Sequence, residues 1–152
     1  MAILQSSQAK GITPSPYPHN ANAVCAVRAT IALTANPTAN DIAEMVMLPA
    51  GCRVIDMILD SDDLDSDGTP AITMDVGIMS GEFGTTGART CGDEFFTAAT
   101  VGQTGAVARP TKKEAFRVAA SNVHRSIGIK FAVVSDVFVA GTVGLTVLIG
   151  AA

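Results

Sequence analysis

The chain is predicted to be all-β, an antiparallel β-sandwich of jelly-roll type with about eight strands, one short helix and an extended N-terminal arm. Three observations lead there. Apolar residues recur with period two in one short segment after another, the pattern of strands with a buried face. Glycine, proline and asparagine clusters interrupt these segments at short intervals, and nothing alternates strand with helix as parallel sheets require. The core material is aliphatic: hydrophobic residues make up 48% of the 152, but aromatics only 5%, with no Trp. A chain of this length fits one domain and buries roughly 68–70% of its unfolded surface.

Residues 1–23 read as an arm. Pro14, Pro16 and Pro18 fall at alternate positions, which suppresses helix and favours an extended run. This segment is either a disordered terminus or an arm lying along a neighbouring subunit, anchored by Ile3, Leu4, Ile12 and Tyr17. The sandwich domain then occupies residues 24–152. Its first strand covers 24–34, with Cys25, Val27, Ala29, Ile31 and Leu33 on one face, and the turn-rich residues 35–40 end it. Residues 42–48 form a second strand in which Ile42, Val46 and Leu48 share a face with Glu44, with a helical turn from Asp41 as the competing form.

The stretch 46–79 organises the middle of the chain. Pro49-Ala50-Gly51 makes a turn, 52–59 a strand, 60–68 an acidic loop and 71–79 a second strand. In the latter, Ile72, Met74, Val76 and Ile78 alternate with Ala71, Thr73, Asp75 and Gly77. Gly81, Gly84, Gly87 and Gly92 make 80–92 a long loop. Residues 93–102 read as the short helix, with acids in the first turn and a glycine after the end, plugging one opening with Phe95 or Phe96. Strands at 106–109, 115–120, 126–134 and 142–149 complete the set. The uncharged segment 137–152 carries Gly141, Thr142, Gly144 and Thr146 and is read as a buried strand, since a membrane span needs about 20 predominantly apolar residues. The long uncharged strand 143–149 within it is expected to be internal to a sheet or covered by another subunit.

Charge is unevenly placed. Residues 41–82 hold ten acids and one base, Arg53, whereas 89–130 hold seven bases against Asp93, Glu94 and Glu114. Two solvated surfaces of opposite sign explain this; so would an acidic region of one subunit meeting the basic region of a neighbour or of a host lattice. A formal charge of −4 argues against a nucleic-acid partner. Cys25, Cys52 and Cys91 are odd in number and lack metal-site spacing, and residues 1–5 lack the features of a secretion signal, so the thiols are expected to be reduced, in a cytosol.

Candidate chemistry is sparse. Asp63-Leu64-Asp65-Ser66-Asp67-Gly68 matches the opening of a calcium loop, but position twelve is Met74 where a bidentate Glu is required, and the flanks read as strands. The other reading is a polar hairpin loop whose Asp side chains cap their own turns. His19 lies in the arm and His124 in a turn between strands, with no nucleophile elbow and no phosphate-binding glycine loop. No catalytic, cofactor-binding or metal-ligating residue is assigned, and no enzyme activity is expected.

Leu48-Pro49-Ala50-Gly51 leading into Val54-Ile55-Asp56, the acidic segment 59–64, Asp75-Val76-Gly77 and the run 95–105 ending Thr100-Val101-Gly102-Gln103-Thr104-Gly105 carry a family likeness. Over residues 24–149 the chain resembles the small jelly-roll head-stabilisation proteins of tailed bacteriophages, the cement or decoration proteins. The resemblance implies a non-enzymatic homotrimer, made in the host bacterial cytoplasm, that sits on the outside of the capsid and bridges subunits of the major capsid protein. It carries over no cofactor and no interface residue. A calcium-dependent ligand-binding β-sandwich, built on Asp63, Asp65 and Asp67, is the alternative function.

Overall fold

Alternating apolar residues pair into two sheets in the computed structural model, which describes residues 2–14 and 23–152. Nine strands are formed among them: β1 (Ile3–Gln5), β2 (Val24–Leu33), β3 (Ile42–Leu48), β4 (Cys52–Ser61), β5 (Thr73–Ile78), β6 (Phe96–Ala99), β7 (Ala106–Ala108), β8 (Arg125–Val133) and β9 (Gly141–Ala151). One sheet has the order β1-β3-β8-β5-β6 and the other β2-β9-β4-β7. Apart from β1, which runs parallel to β3, every pairing is antiparallel. Consecutive strands β2 to β9 alternate between the sheets except at β5–β6, and this wrapping is the jelly roll. The inward faces of β2, β4 and β9 meet those of β3, β5 and β8 around Met45, Met57, Leu59, Phe131, Leu145 and Val147. Strand β9 lies between β2 and β4, so the uncharged C-terminal segment is internal to its sheet.

Two sequence expectations fail locally. Residues 93–102 form no α-helix: β6 and a 3₁₀ turn at Val101–Gln103 take their place. The free edge of β5 outcompetes the helix. The Phe95 N–H donates to the Val76 carbonyl at 2.9 Å, Glu94 accepts the Ile78 N–H at 2.9 Å, and Phe95 and Phe96 both enter the interior. Residues 115–120 form no strand: a 3₁₀ turn at Lys113–Phe116 buries Ala115 and leaves Phe116 outside. Three alternating apolar residues do not make a strand where no sheet edge receives them, and β4 pairs with only three residues of β7 before the chain departs.

A bulge changes the reading of β3. The register passes from Glu44 opposite Gly128 to Val46 opposite Ile127, with Met45 as the extra residue. One extra residue turns the following side chains to the other face. Val46 and Leu48 therefore join the main core, whereas Ile42 packs outside it with Met79 and Cys91.

The outer face of the β3–β8–β5 sheet is sealed by the chain's own loop, residues 79–95. Gly77 makes this possible: a Cβ there would fall 2.2 Å from the Gly92 carbonyl carbon. At Gly128 a Cβ would fall 2.9 Å from Met79 Cγ. Gly77, on the face opposite the core, is buried for this reason, and Asp75 beside it is engaged by Lys130 and by the Ala98 N–H.

Candidate interaction surfaces

The antiparallel wrapping sorts the loops into two groups at opposite ends of the sandwich. Connections 34–41, 62–72, 100–105 and 134–140 share one end, where the described residues include Asp41, Asp62, Asp63, Asp65, Asp67 and Asp136 and no Lys or Arg. Connections 49–51, 79–95 and 109–124 share the other. There the segment 109–125 carries Arg109, Lys112, Lys113, Arg117 and Arg125 against Glu114 alone. The first end is therefore acidic throughout, whereas at the second the bases of 109–125 share the surface with Glu82, Asp93 and Glu94 of 79–95, and Lys112 pairs with Asp93.

Part of that split is also neutralised inside the chain. Arg89 pairs with Glu44, Lys130 with Asp75 and Arg109 with Asp56, each a base of the second half meeting an acid of the first. Glu44 and Arg89 form the buried member of this set. Arg89 Nη1 donates to Glu44 Oε1, Arg89 Nε to the Ser80 carbonyl at 2.7 Å and Arg89 Nη2 to Ser126 Oγ at 3.0 Å, while Gln5 Nε2 donates to Glu44 Oε2 at 2.7 Å. Burial pushes the Glu44 pKa up, but the hydrogen bonds from Ser126, Gln5 and Arg89 and the guanidinium charge outweigh it and hold the carboxyl below its ordinary value. A cleft of about 440 Å³ lined by Ile3, Gln5, Glu44 and residues 84–89 lies over the pair. Its charged groups are already engaged with one another.

At the acidic end, the aspartates that suggested calcium serve the backbone. Asp65 is 1% exposed and accepts the N–H of Ala71 at 2.8 Å and of Ile72 at 3.1 Å on Oδ2, and the Ser135 hydroxyl at 2.8 Å and the Asp67 N–H at 3.4 Å on Oδ1. Burial works to raise its pKa, but these donors hold it below the usual carboxylate value. Capture of the Ala71 and Ile72 amides is also why β5 begins at Thr73, two residues later than its alternation suggests. Asp63 Oδ1 accepts the Asp65 N–H at 3.1 Å, so the loop is a set of Asx turns. Among the described residues no three His, Cys, Asp or Glu side chains converge as a metal site. Exposed Val133, Val137 and Val139 lie at this end too.

The basic end carries an aromatic. Phe116 is 54% exposed beside Lys113 and Arg117, at the close of the 3₁₀ turn. His124 is exposed, and its Nδ1 accepts the Ala50 N–H at 3.0 Å; His19 lies outside the described residues. Cys91 is buried, and burial pushes its thiol up to about 11, so it is no activated nucleophile. None of the three cysteines forms a disulfide. Sequence reasoning found the charge split but missed Arg89 as the partner of Glu44 and Phe116 as an exposed ring. No periodicity signals either one.

A two-sheet jelly roll with an acidic end and a cluster of bases at the other offers surfaces for contact with other chains. A chain in the solved capsid of Ralstonia phage GP4 superposes with a TM-score of 0.95 and is 44% identical, over 99% of both chains. A chain of the cyanophage Pam1 capsid asymmetric unit gives a TM-score of 0.67 at 25% identity, over 92% of both. No protein-family model matches the sequence, and no curated protein matches it. The chain belongs to the same family of bacteriophage capsid proteins as the GP4 chain, and its role is structural, within the virion.

Proposed function

We propose that the protein is a cement, or decoration, protein: a homotrimer that binds the outside of a phage capsid and stabilises it by bridging major capsid protein subunits. The observation that carries this reading is the end-to-end likeness to a phage capsid chain, covering 99% of each. The surfaces support it. The basic end, with Phe116 among Lys113 and Arg117, has the aromatic and arginine content that interface centres favour, and it is the end that contacts the coat. The acidic end faces solvent, where exposed Asp62, Asp63 and Asp136 keep the decorated particle soluble. Thiols outside any disulfide accord with synthesis in a reducing cytosol.

Adding the purified protein to phage heads that lack it tests the reading. Saturable binding, with heads that withstand heat or osmotic shock better than bare ones, is the expected result. Phe116→Ala with Lys113→Glu weakens binding at least tenfold while leaving the fold intact. Absence of binding to any head would refute the proposal.

A further inference from the structure

The acidic end is also where aliphatic side chains are left in water. Among the described residues seven large hydrophobics are exposed, and Val133, Val137 and Val139 are three of them, all within one short stretch of chain. A hydrogen-bonded ribbon holds the last two. Asp65 and Phe138 face each other in an antiparallel bridge, flanked by the Ser66 N–H donating to the Val137 carbonyl and the Val139 N–H donating to the Leu64 carbonyl, both at 3.1 Å. The Ser135 hydroxyl on Asp65, and the Asn36 side-chain amide on the Ser135 carbonyl at 2.7 Å, fix the start of the segment. Phe138 packs against the core, so alternation turns Val137 and Val139 outward, 50% and 41% exposed. A fixed backbone thus presents both valines.

The charge around them is uncompensated. Exposed Asp62, Asp63 and Asp136 and half-buried Asp67 form no ion pair among the described residues, whereas Asp56, Asp60, Asp75 and Asp93 each meet a base. Apolar side chains rimmed by polar ones mark contact sites.

We infer that Val137 and Val139, with the aspartates around them, form a docking site for a basic polypeptide segment that carries aliphatic side chains. Burial of the valines supplies affinity, and the unpaired carboxylates select Lys and Arg. The same carboxylates repel the phosphates of nucleic acids and of anionic lipid headgroups, which leaves a protein as the partner. The site lies at the opposite end from the coat contact proposed for residues 109–125 and does not depend on it. On a decorated head this end would face outward, open to such a partner.

Titrating the purified chain with two synthetic peptides, one of alternating Lys and Leu and one of Lys alone with the same charge, tests this. At about 0.15 M salt, where screening acts beyond about 8 Å, the Lys-Leu peptide is expected to bind roughly tenfold more tightly, a margin that burying two valine side chains can supply. Val137→Thr with Val139→Thr, isosteric changes at exposed positions, removes that margin, and circular dichroism verifies the fold. Asp63→Asn with Asp136→Asn weakens the binding of both peptides, and Phe116→Ala leaves the margin unchanged. Equal binding of the two peptides by the native chain, binding of neither, or a margin that survives in the folded valine variant would overturn the inference. No head takes part, so loss of the margin refutes this inference alone, and absence of head binding refutes the cement reading alone.

Discussion

Arg89 Nη1 lies 2.7 Å from Glu44 Oε1, with the two side chains only 2% and 3% exposed, and this pair ties the loop 79–95 to the bulged strand β3. Removing one partner leaves the other buried and unpaired, which costs about 3–5 kcal/mol. Glu44→Ala is accordingly expected to lower unfolding stability by that order in denaturant titration. The double variant Glu44→Leu with Arg89→Met recovers most of the loss, because neither charge then remains to be compensated. Equal losses in the single and double variants would mean that packing, not the ion pair, holds the loop.

Asp65 predicts two further results. Its carboxyl and that of Glu44 are held below their ordinary values in the folded chain. A depressed carboxylate pKa adds stability above the unfolded value, about 4, and that stability is lost as pH falls through the folded value. Thermal melts should therefore change little between pH 7 and 5 and decline below about pH 4, with a shallower decline in Asp65→Asn, itself less stable at neutral pH. Millimolar calcium should leave the melting temperature of the native protein unchanged, because N–H and O–H donors already occupy the Asp65 oxygens. A calcium-dependent rise would reinstate an ion site in the loop.

Two glycines separate a rigid constraint from a soft one. At Gly77 an added Cβ meets backbone, 2.2 Å from the Gly92 carbonyl carbon, whereas at Gly144 the nearest atoms it meets are the ends of Arg28 and Asp60. Gly77→Ala is expected to cost about 3 kcal/mol or to release the loop altogether, since overpacking against immovable atoms is expensive. Gly144→Ala displaces a surface ion pair worth at most about 1 kcal/mol. Comparing the denaturation midpoints of the two variants checks the difference.

The strands were legible wherever one face is apolar and the other is not. The β9 pairing of Val143, Leu145, Val147 and Ile149 toward the core follows from alternation alone, and so does the buried set Ile72, Met74 and Val76. Non-local competition was not legible. Nothing in the order of residues 93–102 says that the free edge of β5 will draw Phe95 and Phe96 into the interior. Nothing around Glu44 announces a bulge at Met45 or an arginine 45 residues away. The charge split was visible, but its resolution into internal ion pairs, an acidic end and a cluster of bases at the other depends on strand order. The strand expected at 115–120 does not form because alternation does not reveal whether a sheet edge is there to receive it.

Electron cryomicroscopy of heads decorated with the purified chain tests the cement assignment most directly. Extra density of this fold is expected on the outer surface, absent from undecorated heads, with residues 109–125 toward the shell and the acidic loops outward. Density for the chain within the continuous shell itself, as its lattice-forming subunit, would contradict it.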